Sequence, residues 1–193
     1  MSEAVEIRVL REFLKILDAL EIKYAIGGSI ASSVYGLVRF TQDADVMVEP
    51  FTPKASLFYE HIKALFYISK EAMHDALQSK TSFNIIHLET AFKIDVFISK
   101  LSAFDCQVLS RATSIQLGQT EIDYFRFVSP EDIILLKLVW YEQGQRVSNK
   151  QWNDILGVLT TQKKRLDYGY LNDWAKTLSV QNLLAKATRE SDN

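Results

Sequence analysis

The chain has 193 residues, 48% of them hydrophobic, with 7 Gly and 3 Pro, a composition that builds a core and excludes disorder and low complexity. Its formal net charge of −2, from 22 basic and 24 acidic side chains, gives no global attraction for nucleic acid, so such a partner would need a local patch. A single cysteine, Cys106, excludes an internal disulfide framework and a cysteine-based zinc site; with no apolar run near the ~18 residues of a membrane span, the expected location is the cytoplasm, away from membranes.

Residues 4 to 20 place Val5, Ile7, Val9, Leu10, Phe13, Leu14, Ile16, Leu17 and Leu20 largely on one stripe, the pattern of an opening amphipathic helix. KYAI (23 to 26) reads as a short strand running into Gly27-Gly28, and SIASSVYG as a helix of small residues ending at Gly36. A strand around Ala44 to Val48 stops at Pro50, and Pro53 opens a helix over KASLFYEHIKALF. A shorter helix is expected around Glu71 to Gln78. FNIIHLE (83 to 89) and FKIDVFI (92 to 98) read as an antiparallel hairpin joined by Thr90-Ala91, without the glycine such turns favour.

IDYFRFV (122 to 128) is expected to be one more strand, after which only helical patterns follow. Ser129-Pro130-Glu131-Asp132 combines an N-cap serine, a proline at the first helical position and acids in the first turn, ahead of IILLKLVW. Ser148 to Gln151 has the spacing of a capping box, and helices over DYGYLNDWAKTL and VQNLLAKAT complete the tail. The expected class is α/β (α+β), with an α/β domain over residues 1–128 and a helical C-terminal domain over 129–193.

Two features carry chemistry. Gly27 and Gly28 let the backbone turn tightly and approach a phosphate, and Ser29 offers a hydroxyl and an amide at a helix start. Asp43 and Asp45, at i and i+2 of a strand-like run, project from one face about 7 Å apart, which suits a divalent metal. Each alone has a plain reading, a strand-to-helix turn for one and a solvated strand edge for the other. The thirteen residues between Ser29 and Asp43 join them, because they allow one short helix and a return that brings the aspartates beside the glycine turn. Strand alternation sends Phe92, Ile94, Val96 and Ile98 to one face and Lys93, Asp95 and Phe97 to the other, so Asp95 is a lone carboxylate among apolar neighbours that needs a partner.

Ile26-Gly27-Gly28-Ser29 and Asp43-Ala44-Asp45-Val46 together resemble the pattern of the DNA polymerase β-like nucleotidyltransferase superfamily. That pattern is a hydrophobic residue, Gly, Gly or Ser, a gap, then Asp-hydrophobic-Asp-hydrophobic, with a third acid on a later strand, here Asp95. Gly36, Arg39, Thr41, Asp43 and Asp45 are similar to the GxxRxTxDxD run of the branch containing AbiEii-type toxins and related bacterial proteins. The likeness spans roughly residues 20 to 100, and the helical tail more loosely.

The resemblance implies a nucleotidyltransferase fold, a mixed sheet flanked by helices, and transfer of a nucleoside monophosphate from a nucleoside triphosphate to an acceptor hydroxyl with release of pyrophosphate. Asp43, Asp45 and Asp95 would hold two Mg²⁺ ions, or Mn²⁺ in their place, and Asp95 would also take the proton of the attacking hydroxyl. Gly27, Gly28, Ser29, Arg39 and Lys137 would bind the nucleotide. Relatives use a tRNA end, a protein side chain or a small molecule such as an antibiotic as acceptor, and toxin relatives imply an antitoxin-like partner. A non-catalytic nucleotide-binding module and a ligand-free scaffold are the alternatives.

The remaining candidates have competing readings. Arg39 neutralises a phosphate or is a charged strand-edge residue. Lys137, inside IILLKLVW, reaches an anion or snorkels out, and the toxin branch carries a functional lysine on the corresponding helix. Asp154 in QWNDIL resembles an acid that such relatives place on the next helix, although SNKQW replaces their arginine-rich lead-in. His61, His74 and His87 lack metal-ligand spacing and read as helix or strand surface residues.

Overall fold

In the computed structural model, which describes residues 4–39, 41–117 and 124–192, the opening apolar stripe folds as helix α1 (Val5–Ala19) and buries Val9, Leu10, Phe13, Leu14 and Leu17. The chain forms two units by contact, one of Met1–Ile26 with Thr41–Phe127 and one of Gly27–Phe40 with Val128–Asn193. Among the described residues, no helix is long and apolar enough to cross a membrane.

The first unit is built on a mixed seven-stranded sheet of β1 (Tyr24–Ile26), β2 (Asp43–Val48), β3 (Phe66–Ile68), β4 (Ser82–His87), β5 (Lys93–Ile98), β6 (Thr113–Gln116) and β7 (Tyr124–Phe127), in the order β3-β4-β5-β2-β1-β7-β6. The β2–β5 and β1–β7 pairs are parallel and the other four antiparallel. Strand alternation buries Ala44, Val46 and Val48 of β2 with Ile94, Val96 and Ile98 of β5, all on one face. Phe13, Phe58, Phe66 and Phe83 meet edge-on in this unit's core, with ring centroids 6.2 to 6.4 Å apart.

Several local outcomes differ from the sequence expectation or extend it. The helix expected through Phe66 is a 3-10 turn, Thr52–Lys54, followed by α3 (Ala55–Ile62), and Phe66–Ile68 pairs with β4 instead. The run LFYI has no Gly or Pro to mark the change, and a short apolar stretch serves a helix or a buried strand equally. Helix α4 (Lys70–Ser79) is capped by Ser69, whose hydroxyl accepts from Ala72 N. The β4–β5 hairpin forms without glycine because Ala91 adopts φ 57° and Thr90 Oγ1 accepts from Phe92 N at 3.3 Å. Helix α5 (Ala103–Ser110) and strand β6 had no sequence reading, and residues 122 and 123 of the expected last strand lie outside the described residues.

The second unit is helical: α2 (Gly28–Tyr35), α6 (Pro130–Gln143), α7 (Asn149–Gln162), α8 (Tyr168–Thr177) and α9 (Gln181–Ser191). Helix α6 is its centre, with Ile133, Ile134, Leu135 and Leu138 fully buried. Its start is held as the motif requires. Ser129 Oγ accepts from Asp132 N at 3.1 Å and donates to Asp132 Oδ2 at 2.8 Å, while Tyr170 OH donates to Asp132 Oδ1 at 2.6 Å. Ser148 caps α7 by accepting from Gln151 N at 3.3 Å.

Gly36, at the end of α2, lets that helix touch α7 backbone to backbone. A Cβ at residue 36 would lie 2.8 Å from Val158 N and 2.9 Å from the Gly157 carbonyl carbon. Neither backbone atom can yield as a side-chain tip does, so Gly36→Ala is expected to cost about 1–3 kcal/mol, read as a lowered urea midpoint with an unchanged slope.

Candidate active site

Strand alternation and register together assemble the acidic residues. On β2, Ala44, Val46 and Val48 point into the core, so Asp43, Asp45 and Met47 stand on the opposite, half-exposed face. On β5 the same alternation exposes Lys93, Asp95 and Phe97. Because β2 and β5 are parallel with Asp43 opposite Lys93 and Asp45 opposite Asp95, all three carboxylates share one face of one sheet. Asp95 is therefore not alone among apolar neighbours: Asp45 flanks it on one side, and Asn84 of β4 is its partner on the other. Alternation along one strand shows only the neighbours before and after Asp95; its lateral neighbours belong to other strands.

A cation sits among these acids. Lys93 Nζ is 2.7 Å from Asp95 Oδ2 and 3.9 Å from Asp43 Oδ2. The hydrogen bond to Asp95 holds the Lys93 ammonium above its ordinary pKa, against the opposing effect of burial and with help from the charges of Asp95, Asp43 and Asp45. Asp43 is oriented from its other side, where Thr41 Oγ1 donates to Oδ1 at 2.9 Å. Sequence reasoning put Lys93 on this face without giving it a role. The signal was the K-x-D spacing, which sets an ammonium beside a carboxylate on one strand face.

The donor chemistry suits a hard divalent cation, since all three side chains offer carboxylate oxygens. Among the described residues, no three His, Cys, Asp or Glu side chains converge into a ready-made metal site. The position of the Lys93 ammonium nevertheless shows that this face stabilises a positive charge between Asp43 and Asp95. On both counts the residues fit Mg²⁺ in charge and ligand type.

The other candidate residues lie in the helical unit. Gly27 is the N-cap of α2, and Gly28 has φ 56°, a left-handed conformation that costs glycine least. Ser29 Oγ accepts from Arg39 Nη2. Arg39 also forms a two-pronged ion pair with Asp154, Nε to Oδ1 and Nη2 to Oδ2, both at 2.9 Å. Lys137 does not snorkel: its side chain is 4% exposed, and Nζ donates to Asp154 Oδ2 at 2.8 Å and to Gln151 Oε1 at 3.4 Å.

Asp154 is thus the hub of this network. Burial pushes its carboxyl upward, but the hydrogen bonds from Arg39 and Lys137 outweigh burial and leave it below its ordinary 3.8. Its residue type and helix were visible in the sequence. Its two cationic partners, 115 and 17 residues away, were not.

Of the histidines, His61 and His74 are exposed, whereas His87 is 3% exposed, a correction to its surface reading. It follows Phe83 and Ile85 on the inward face of β4, with Nε2 3.1 Å from Glu12 Oε2 and Nδ1 2.9 Å from Thr90 Oγ1. The period of two would have placed it there.

The architecture is the nucleotidyltransferase fold, an α/β arrangement on a mixed sheet. The chain is similar to the antibiotic-resistance factor ANT(2'')-Ia in its solution structure, at 12% identity over 96% of this chain and 97% of that one, with a TM-score of 0.62. The crystal structure of ANT(2'')-Ia in complex with adenylyl-2''-tobramycin matches 91% of this chain and 98% of that chain at 12% identity, with a TM-score of 0.60. An antigenic nucleotidyltransferase-like protein from Paracoccidioides brasiliensis matches 95% and 92% of the two chains at 17% identity, with a TM-score of 0.56. No family model matches the chain, and no curated protein does.

Proposed function

We propose that this chain is a metal-dependent nucleotidyltransferase that moves a nucleoside monophosphate from a nucleoside triphosphate to an acceptor hydroxyl. The observation carrying the reading is the register of Asp45 against Asp95, with Asp43 two residues along on the same half-exposed face. Asp43, Asp45 and Asp95 would hold Mg²⁺ which, when bound, supplies Lewis-acid stabilisation of the charge developing on the phosphate oxygens. Asp95 accepts the proton of the acceptor hydroxyl as its oxygen bonds to the α-phosphorus. The bond from that phosphorus to the bridging oxygen breaks, and pyrophosphate carries away the electron pair.

Gly27, Gly28 and Ser29 are assigned to phosphate binding. The Ser29 hydroxyl already accepts from Arg39, which leaves its own proton to donate to an anion. Arg39 presents the more exposed of the two cations held by Asp154, with 24% of its side chain exposed, and Lys137 supports it through that shared carboxylate. The acceptor favoured is a small-molecule hydroxyl, in keeping with the fold likeness to ANT(2'')-Ia and with the net charge of −2, which does not favour tRNA. Membership of the AbiEii-type branch rests on Gly36, Arg39, Thr41, Asp43 and Asp45, and an antitoxin-like partner rests on that likeness alone.

The test is incubation of the protein with Mg²⁺, each α-labelled nucleoside triphosphate and either cell extract or a panel of hydroxylated small molecules, beside Asp45→Asn. Label on an acceptor with the wild type only supports the enzyme. Nucleotide binding with no transfer from any triphosphate supports the non-catalytic module instead.

A further inference from the structure

We propose that Lys93 is a tethered counter-cation that competes with a divalent metal for Asp95 and Asp43, so that metal enters this face by displacing the lysine side chain. The inference rests on the assignment of Asp43, Asp45 and Asp95 as metal ligands.

Lys93 stands on the strand and face that carry Asp95, and its Cα partner on β2 is Asp43. Its ammonium occupies the space between one oxygen of each: Oδ2 of Asp95 at 2.7 Å and Oδ2 of Asp43 at 3.9 Å. Oδ1 of Asp43 accepts from Thr41, and its other oxygen, Oδ2, is the one turned toward Lys93. A lysine and a metal cannot share that position, because both charges are positive and both need the same carboxylate oxygens.

The side chain is also able to leave. Its relative exposure is 39%, and a four-carbon stem with a compact, strongly hydrated head regains solvation readily when it swings out. Lys93 therefore has two consequences. It offsets the repulsion among three acids on one sheet face when metal is scarce, and it sets a threshold of metal concentration below which that face stays closed to the ion.

The experiment measures binding of Mn²⁺ alone to the metal-free protein, by the electron paramagnetic resonance signal of unbound Mn²⁺, for wild type, Lys93→Met, Lys93→Gln and Lys93→Arg. Each is also compared in an Asp45→Asn background. Lys93→Met and Lys93→Gln are expected to bind Mn²⁺ about tenfold more tightly than wild type, whereas Lys93→Arg, which keeps the charge, stays weak. Circular dichroism checks that each variant is folded, and the two neutral variants back each other should one fail to fold.

Equal affinity in wild type and both neutral variants, abolished by Asp45→Asn, would overturn the competition and leave the metal site standing. Binding that is absent throughout, or indifferent to Asp45→Asn, would remove the metal assignment itself and this inference with it.

Discussion

Asp45→Asn is expected to reduce nucleotidyl transfer by about 10³-fold or more, while the metal-free protein keeps its stability within about 1 kcal/mol. The first half follows from charge. Asn presents one neutral carbonyl oxygen where Asp presents two anionic ones, and Asp45 is the acid placed beside both others, across from Asp95 and two residues from Asp43. The second half follows from position. Asp45 stands on the half-exposed face of β2, the substitution conserves volume, and the lost attraction to the Lys93 ammonium is set against the lost repulsion from the like charge of Asp95 directly across. Transfer of α-label under saturating triphosphate and Mg²⁺ reads the first effect, and urea denaturation in a chelator reads the second. A variant that lost activity only in proportion to lost folded protein would contradict the assignment.

Asp154→Ala is expected to cost about 3–5 kcal/mol, the largest stability loss anticipated for one substitution here. The carboxylate is 6% exposed and receives hydrogen bonds from Arg39 and Lys137, so its removal takes the counter-charge away from the buried ammonium on α6 and from the fork of Arg39. The cost comes from the cations left behind. Asp154→Leu combined with Lys137→Met should accordingly recover much of it, because an apolar pair needs no counter-charge. Urea midpoints of the single and double variants give the comparison.

The same carboxylate predicts a pH dependence with a definite sign. Its folded-state pKa lies below 3.8, so the stabilisation it provides is fully present above 3.8 and is lost as pH falls through the folded value. Stability of the wild type measured from neutral pH down past 3.8 should therefore fall, and Asp154→Asn should remove part of that acid limb from a lower starting point.

Local chemistry made much of the fold readable. Ser129 and Ser148 cap the helices they precede, since an N-cap and the amide that bonds to it lie within three residues of each other. The faces of β2 and β5 followed from the period of two, which also set Asp43 with Asp45 and Lys93 with Asp95. Where two structures satisfy one short pattern, as in LFYI, the sequence was indifferent; pairing with β4 decided for a strand.

What the sequence by itself determined was therefore which residues cap, which turn, and which share a face of one strand or helix, because those relations span only a few residues. Tertiary structure alone decided the contacts across elements: the register of Asp45 on Asp95, Lys93 between two acids, Glu12 as the partner of His87, and Arg39 with Lys137 on Asp154. The physical reason is that strand register and helix docking are set by burial of the whole apolar surface. A polar side chain's partner is whichever group that packing delivers to it.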